Sequence, residues 1–135
     1  MKIVLDTNVL ISGIFFTGTP FRILELWRAG RFRIILSEEI YGEYCRVVAE
    51  LAAKFDGLEA DAFLELIFSE SEIIDAPSLG KQICEDPDDD KFFAAAVAGG
   101  AKVIVSGDHH LLKAGGFRNI EVVRPREFLD RMRAP

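Results

Sequence analysis

Two carboxylates follow apolar runs that suit buried strands. Asp6 comes directly after residues 3–5, and Asp108 comes shortly after residues 103–105. Unbroken apolar runs are typical of strands that are covered on both faces in a parallel sheet. The carboxyl ends of such strands lie at one edge of the sheet, where open α/β sheets bind their ligands. The spacing therefore predicts a site that contains Asp6 and Asp108, although Asp6 could instead cap the segment that follows it.

Two further acids lie on the apolar sides of predicted helices. Glu43 falls between Ile40 and Val47, inside the apolar stripe of its helix. Asp90 precedes Phe93 by three residues and so faces the core side of another helix. A carboxylate on the core side of a helix is unfavourable unless it is paired or bound to a metal. Glu43 could alternatively reach water at the edge of its helix or pair with an arginine.

Four carboxylates in one small core are typical of a site for a divalent cation. Asp6, Glu43, Asp90 and Asp108 cannot all remain ionised there without cations. Hard oxygen ligands select Mg²⁺ or Mn²⁺, whereas the set of Cys and His residues that zinc requires is missing. The two cysteines of the chain lie far apart without metal-type spacing, so we interpret them as reduced thiols.

An alternation of strands and helices would position these residues. Apolar runs predict five strands, at residues 3–5, 32–36, 73–74, 102–106 and 120–123. Apolar residues at helical spacing predict six helices between and after these strands, one of them opened by Asp86 as N-cap and Pro87. This order predicts an α/β fold, with a single three-layer α/β/α domain over residues 1–135 and a central parallel sheet of about five strands.

Composition limits the class of protein. Half of the 135 residues are hydrophobic, which favours a folded domain over disorder. The net charge of −6 argues against generic nucleic-acid binding, although mildly basic flanks surround an acidic middle section. No apolar run is long enough to span a membrane, and no signal-peptide pattern is present. We therefore expect a cytoplasmic protein with no membrane association.

A predicted helix over residues 58–68 is apolar around most of its circumference. One buried face does not require so wide an apolar stripe, so we expect part of this helix to meet a partner or a second copy of the chain. The alternative is that Phe63 and Phe68 pack on neighbouring helices.

Four segments carry a resemblance to a known family. They are IVLDTNVLIS, SEEIYGEYCRVV, DPDDDKFFAAAVAGGA and VIVSGDHHLL, which together span nearly the whole chain. In their content and order the chain resembles a PIN domain, the metal-dependent ribonuclease fold of VapC-type toxins in toxin–antitoxin pairs. The resemblance implies a PIN-like fold, hydrolysis of RNA phosphodiester bonds, an antitoxin partner and a homodimer. The alternative is a catalytically inactive PIN-like module that only binds another protein.

The resemblance also implies roles for individual residues. The family's four acidic positions, which are catalytic and hold Mg²⁺ or Mn²⁺, fall on Asp6, Glu43, Asp90 and Asp108. The family's small polar residues near the metal match Thr7, Asn8 and Ser106. Three neighbouring acids could share the metal role, namely Asp86, Asp88 and Asp89. Two histidines stand where many relatives carry another acid or a lysine, namely His109 and His110, and adjacent side chains point differently, so at most one should face the site.

Two other enzyme-like folds also cluster acids at strand ends. A receiver domain needs a phosphoacceptor after its third strand and a late lysine, and Asp75 is a poor candidate for that role. A haloacid-dehalogenase phosphatase needs an acid at the position that Asn8 occupies.

Overall fold

The computed structural model describes residues 1–54 and 60–133, which form a parallel sheet flanked by helices. The strands are β1 (Lys2–Leu5), β2 (Arg33–Leu36), β3 (Glu72–Ile73), β4 (Val103–Val105) and β5 (Glu121–Val123). The helices of the described residues are α1 (Thr7–Phe15), α2 (Thr19–Arg28), α3 (Glu38–Ala52), α4 (Ala60–Glu70), α5 (Asp90–Gly99), α6 (His109–Lys113) and α7 (Pro125–Arg133).

The sheet has β1 at its centre. Its strand order is β3-β2-β1-β4-β5, and every pair of neighbouring strands is parallel. The three apolar residues of β1 are fully buried, as an unbroken apolar run predicts for a strand that is covered on both faces. The register sets Leu5 opposite Val105 and so aligns the carboxyl ends of β1 and β4. The predicted α/β/α fold with a central parallel sheet of five strands is confirmed.

Helix α1 was not among the six helices predicted from the sequence. It starts at Thr7, shortly after β1. Apolar residues lie on several of its sides, and most of them are buried in the interior of the domain. Gly13 lets α1 approach α2 closely, since a Cβ atom there would lie 2.5 Å from Leu24 Cδ1 and 2.9 Å from the carbonyl oxygen of Pro20. Among the described residues, no single helix is long and apolar enough to cross a membrane. Helices α1 and α2 taken together have the length and composition of a membrane span, but their axes are bent by 91° relative to each other.

Helix α4 covers most of the apolar segment predicted at residues 58–68. The structure describes this helix from Ala60, so Leu58 lies outside the described residues. Leu64 and Ile67 are buried in the core, whereas Phe68 is 51% exposed although its ring lies 5.1 Å from that of Tyr41. The other aromatic residue in question, Phe63, packs against Trp27 of α2 at 6.3 Å between ring centroids.

Candidate metal centre

The carboxyl ends of β1 and β4 hold two of the predicted acids. The Asp6 amide donates to the carbonyl of Val105 at 3.0 Å and extends the ladder between the two strands. The Ser106 hydroxyl donates to the Asp6 carboxylate at 2.7 Å and accepts from the Asp108 amide at 2.9 Å. One buried serine therefore links the first acid to the backbone of the second.

Negative charge accumulates around Asp6. Its burial raises the pKa of the carboxyl above the ordinary value, and the nearby carboxylates of Asp108 and Glu43 raise it further. The hydrogen bond from Ser106 opposes this shift without cancelling it. Three carboxylates therefore share one electrostatic neighbourhood in which a cation would be favourable.

Glu43 is brought to this neighbourhood by α3. The fully buried Tyr44 donates its phenol hydrogen to the carbonyl of Leu5, which ties α3 to the end of β1. The Thr7 hydroxyl, at the start of α1, donates to one oxygen of the Glu43 carboxylate. The other oxygen lies 2.9 Å from the ammonium of Lys91.

Lys91 is a buried cation beside the acids, and the sequence analysis did not single it out. Its side chain is 4% exposed, and its Nζ donates to the carbonyl of Asp88 at 2.7 Å and lies 3.1 Å from the Asp88 carboxylate. Burial alone would lower the pKa of Lys91, but the hydrogen bonds to Glu43 and Asp88 outweigh it and hold the pKa above its usual value. A signal was present in the sequence, because α5 is apolar on nearly all sides and a lysine on such a helix needs an internal partner.

Asp89 and Asp90 are adjacent in the chain but have different surroundings. The Asp90 carboxylate accepts hydrogen bonds from the amides of Ile83 at 3.0 Å and Cys84 at 2.7 Å, so it holds the preceding loop. The residues before α5 form a 3₁₀ turn at Pro87–Asp89, which has about three residues per turn and so changes the direction in which successive side chains point. As a result Asp89, rather than Asp90, lies with Asp108.

Asp89, Asp108 and His110 form a compact group of possible ligands. Each offers one ligand atom, and these atoms lie within 4.8 Å of one another. Burial, reinforced by the charges of Asp108, Asp86 and Asp6, raises the pKa of Asp89 to about 6. Asp108 also caps α6, since it accepts from the His110 amide at 2.7 Å.

The sequence matches a known protein family over most of its length. A family model described as the PIN domain matches residues 2–110. The chain belongs to the PIN domain family. The family resemblance drawn from the sequence is therefore confirmed.

A solved structure has the same fold as this PIN domain. A chain from the crystal structure of VapBC2 from Rickettsia felis bound to a DNA fragment from their promoter is similar to it with a TM-score of 0.58. The two chains are 21% identical, and the match covers 92% of this PIN domain and 98% of that chain. No curated protein sequence is detectably similar to this chain.

The donor set of this PIN domain fits a hard divalent cation. Ligand atoms of Asp89, Asp108 and His110 lie within 4.8 Å of one another. Burial and neighbouring carboxylates raise the pKa of Asp6 and of Asp89, so the charges of Asp6 and Asp108 act on this group. Carboxylate oxygens are the ligands that Mg²⁺ and Mn²⁺ prefer. Asp6, Asp89 and Asp108 are therefore the residues that could hold such an ion, with Glu43 beside them.

A separate apolar groove lies between α1, α2 and α4 of this PIN domain. It has a volume of about 630 Å³. Its apolar lining comes mainly from Ile14, Phe21, Leu24 and Phe63, and charged groups at its border include Arg28. Phe21 is 40% exposed. Within residues 1–54 and 60–133, no segment fills this groove.

Proposed function

We propose that this PIN domain is a metal-dependent ribonuclease that hydrolyses RNA phosphodiester bonds. The proposal is supported by the carboxylates of Asp6, Glu43, Asp89 and Asp108, whose charges act on one another near the carboxyl ends of β1 and β4, together with membership of the PIN family. Residues 1–135 act in this proposal as one domain. We also propose a cytoplasmic location, where the chain would meet its RNA substrate.

The site residues have distinct parts in the proposed reaction. Asp6, Asp89 and Asp108 would hold Mg²⁺ or Mn²⁺, and Glu43 lies next to them as the fourth acid. When bound, the ion lowers the pKa of a water molecule and stabilises charge on the phosphate. Ser106 fixes the Asp6 carboxylate through its 2.7 Å hydrogen bond, so one ligand oxygen is oriented before any substrate arrives. A carboxylate in this cluster can accept the proton that the attacking water loses.

Asp90 keeps a defined place in this proposal. Its hydrogen bonds to the amides of Ile83 and Cys84 hold the loop that leads into the 3₁₀ turn, and the turn carries Asp89 to the other acids. Asp90 would therefore support the centre by orienting Asp89, or would join the ligands only after giving up these two hydrogen bonds.

We further propose that the chain is the toxin component of a toxin–antitoxin pair and forms a homodimer. The support for a partner is the fold shared with a chain of a VapBC2 structure and the open apolar groove between α1, α2 and α4. An amphipathic helix of an antitoxin could bury its apolar face in such a groove. The support for a second copy is the exposed side of α4, which includes Phe68.

A cleavage assay tests the proposed activity. Purified wild-type protein is incubated with a mixed RNA pool in EDTA, in Mg²⁺ and in Mn²⁺, beside Asp6→Asn and Asp89→Asn. We expect cleavage only with a divalent ion, and a loss of at least about a hundredfold in both variants, because each loses ligand charge while keeping its shape. Asp90→Asn distinguishes the role of Asp90 from that of Asp89. We expect Asp90→Asn to lower the free energy of unfolding but to leave the cleavage rate per folded molecule largely unchanged.

Two outcomes would contradict the proposal. Cleavage that is unchanged in Asp6→Asn would show that the activity does not come from this site. A folded wild-type protein that binds the ion but cleaves no RNA in any condition would instead favour the catalytically inactive PIN-like binding module.

A further inference from the structure

His110 lies where a nitrogen ligand would complete the acidic centre. Its Nδ1 is 3.9 Å from an oxygen of Asp89 and 3.8 Å from an oxygen of Asp108. Two ligand atoms that each lie about 2.1 Å from one ion in octahedral coordination are about 3.0–4.2 Å apart. Both distances fall in this range, so the three side chains could bind one ion with little movement.

The opposite side of the His110 ring faces a carboxylate. Its Nε2 is 3.6 Å from an oxygen of Glu85, and the ammonium of Lys113 holds Glu85 in turn. A carboxylate beside the second nitrogen is the usual partner of a metal-binding imidazole, because it fixes the ring orientation and makes the ligand nitrogen more basic. Glu85 therefore lies next to Nε2, while Nδ1 faces Asp89 and Asp108.

We infer that His110 is a direct ligand of the ion, that Glu85 is its positioning residue, and that the centre prefers Mn²⁺ to Mg²⁺. Mn²⁺ shares the oxygen ligands of Mg²⁺, but as a first-row transition ion it also binds mixed nitrogen and oxygen sites, whereas Mg²⁺ is held almost entirely by oxygen ligands. The inference rests on the proposed metal centre and deepens it, but it does not require RNA cleavage.

The neighbouring histidine provides a matched control. His109 is exposed, and it is not a member of the group formed by Asp89, Asp108 and His110 among the described residues. His109→Gln and His110→Gln therefore make the same chemical change on adjacent residues. The hydrogen bond from the His110 amide to Asp108 belongs to the backbone, so it survives in His110→Gln and keeps the start of α6 intact.

The test measures ion binding without RNA. Titration calorimetry with Mn²⁺ and with Mg²⁺ is run on wild type, His109→Gln, His110→Gln and Glu85→Gln, each checked for folding by circular dichroism. We expect wild type to bind Mn²⁺ at least about tenfold more tightly than Mg²⁺. We expect His110→Gln to weaken Mn²⁺ binding by about 10–100-fold and Glu85→Gln by about tenfold, the range known for lost ligand support. In both of these variants, the affinity for Mg²⁺ should change by less than about threefold. His109→Gln should change neither the Mn²⁺ affinity nor the Mg²⁺ affinity.

A spectroscopic signature identifies the ligand directly. Pulsed electron paramagnetic resonance of bound Mn²⁺ should detect coupling to an imidazole nitrogen in wild type and in His109→Gln, and none in His110→Gln. Bound Mn²⁺ without nitrogen coupling in wild type would overturn this inference, and if RNA is still cleaved the proposed function would stand. Absence of any divalent-ion binding would overturn both.

Discussion

Replacement of Lys91 by methionine tests how the charges of the centre are balanced. Lys91→Met keeps the apolar stem but removes the ammonium that lies 2.9 Å from Glu43. The side chain of Lys91 is 4% exposed and that of Glu43 is 14% exposed, so water cannot fully replace the lost partner. Removal of one member of a buried ion pair destabilises a protein by about 3–5 kcal/mol.

The structure favours the lower end of this range. Glu43 keeps the hydrogen bond from Thr7, and Arg46 lies 3.6 Å from its other oxygen. Asp88, the second partner of Lys91, is 68% exposed and regains water readily. We therefore expect a loss of about 3 kcal/mol, against a total of about 5–15 kcal/mol for a typical domain. At about 3–5 °C per kcal/mol for a chain of this size, the melting temperature should fall by about 10–15 °C.

The assay is thermal unfolding in EDTA, followed by circular dichroism and calorimetry. Lys113→Met is the matched control, because Lys113 also contacts a glutamate but at an exposed site, where solvent screens the ion pair and its loss should have little effect on stability. Adding Glu43→Gln to Lys91→Met should restore part of the stability, since the carboxylate left without its ammonium is then neutral. A free energy of unfolding for Lys91→Met within 1 kcal/mol of wild type would refute this account.

Three further predictions concern pH, packing and assembly. Asp89 has a folded-state pKa of about 6 against an ordinary 3.8, so its contribution to stability is full below about 3.8 and lost as pH rises through about 6. The melting temperature of Asp89→Asn minus that of wild type, both in EDTA, should therefore increase from pH 5 to pH 7.5; a constant difference would contradict the shift. Gly99→Ala should lower the free energy of unfolding by about 1–3 kcal/mol in urea titrations, because its Cβ would lie 2.5 Å from Ile35 Cγ2; wild-type stability would show that the site relaxes freely. In size exclusion with light scattering, wild type should elute as a dimer and Phe68→Glu as a folded monomer. A wild type that is monomeric at high concentration would contradict this prediction.

The strands and two of the acids could be predicted because local pattern and topology determine them together. Residues 3–5 and 103–105 are apolar without interruption, and parallel neighbours place the residues that follow them at one sheet edge. Asp6 and Asp108 therefore lie at the same sheet edge, where Ser106 contacts the carboxylate of the first and the amide of the second. Glu43 of α3 contacts Thr7 and Lys91.

The same reasoning could not predict helix α1, the choice between Asp89 and Asp90, or the position of Lys91. The segment that forms α1 contains β-branched residues and a glycine, which have modest helix propensity, and it is helical because it packs inside the domain. The choice between Asp89 and Asp90 depends on a 3₁₀ turn and on two amides of a loop, which no periodicity encodes. The position of Lys91 depends on a glutamate that lies 48 residues earlier in the chain.

The hydrogen bond between Ser106 and Asp6 joins residues that are 100 positions apart. A ribosome adds about 5–20 residues per second, starting from the amino-terminal end, so Asp6 leaves it many seconds before its partner. Until β4 has been synthesised and has paired with β1, the nascent chain has Asp6 and Glu43 but lacks Asp89, Ser106 and Asp108 in their places. The proposed metal centre is therefore complete only when nearly the whole domain has emerged from the ribosome.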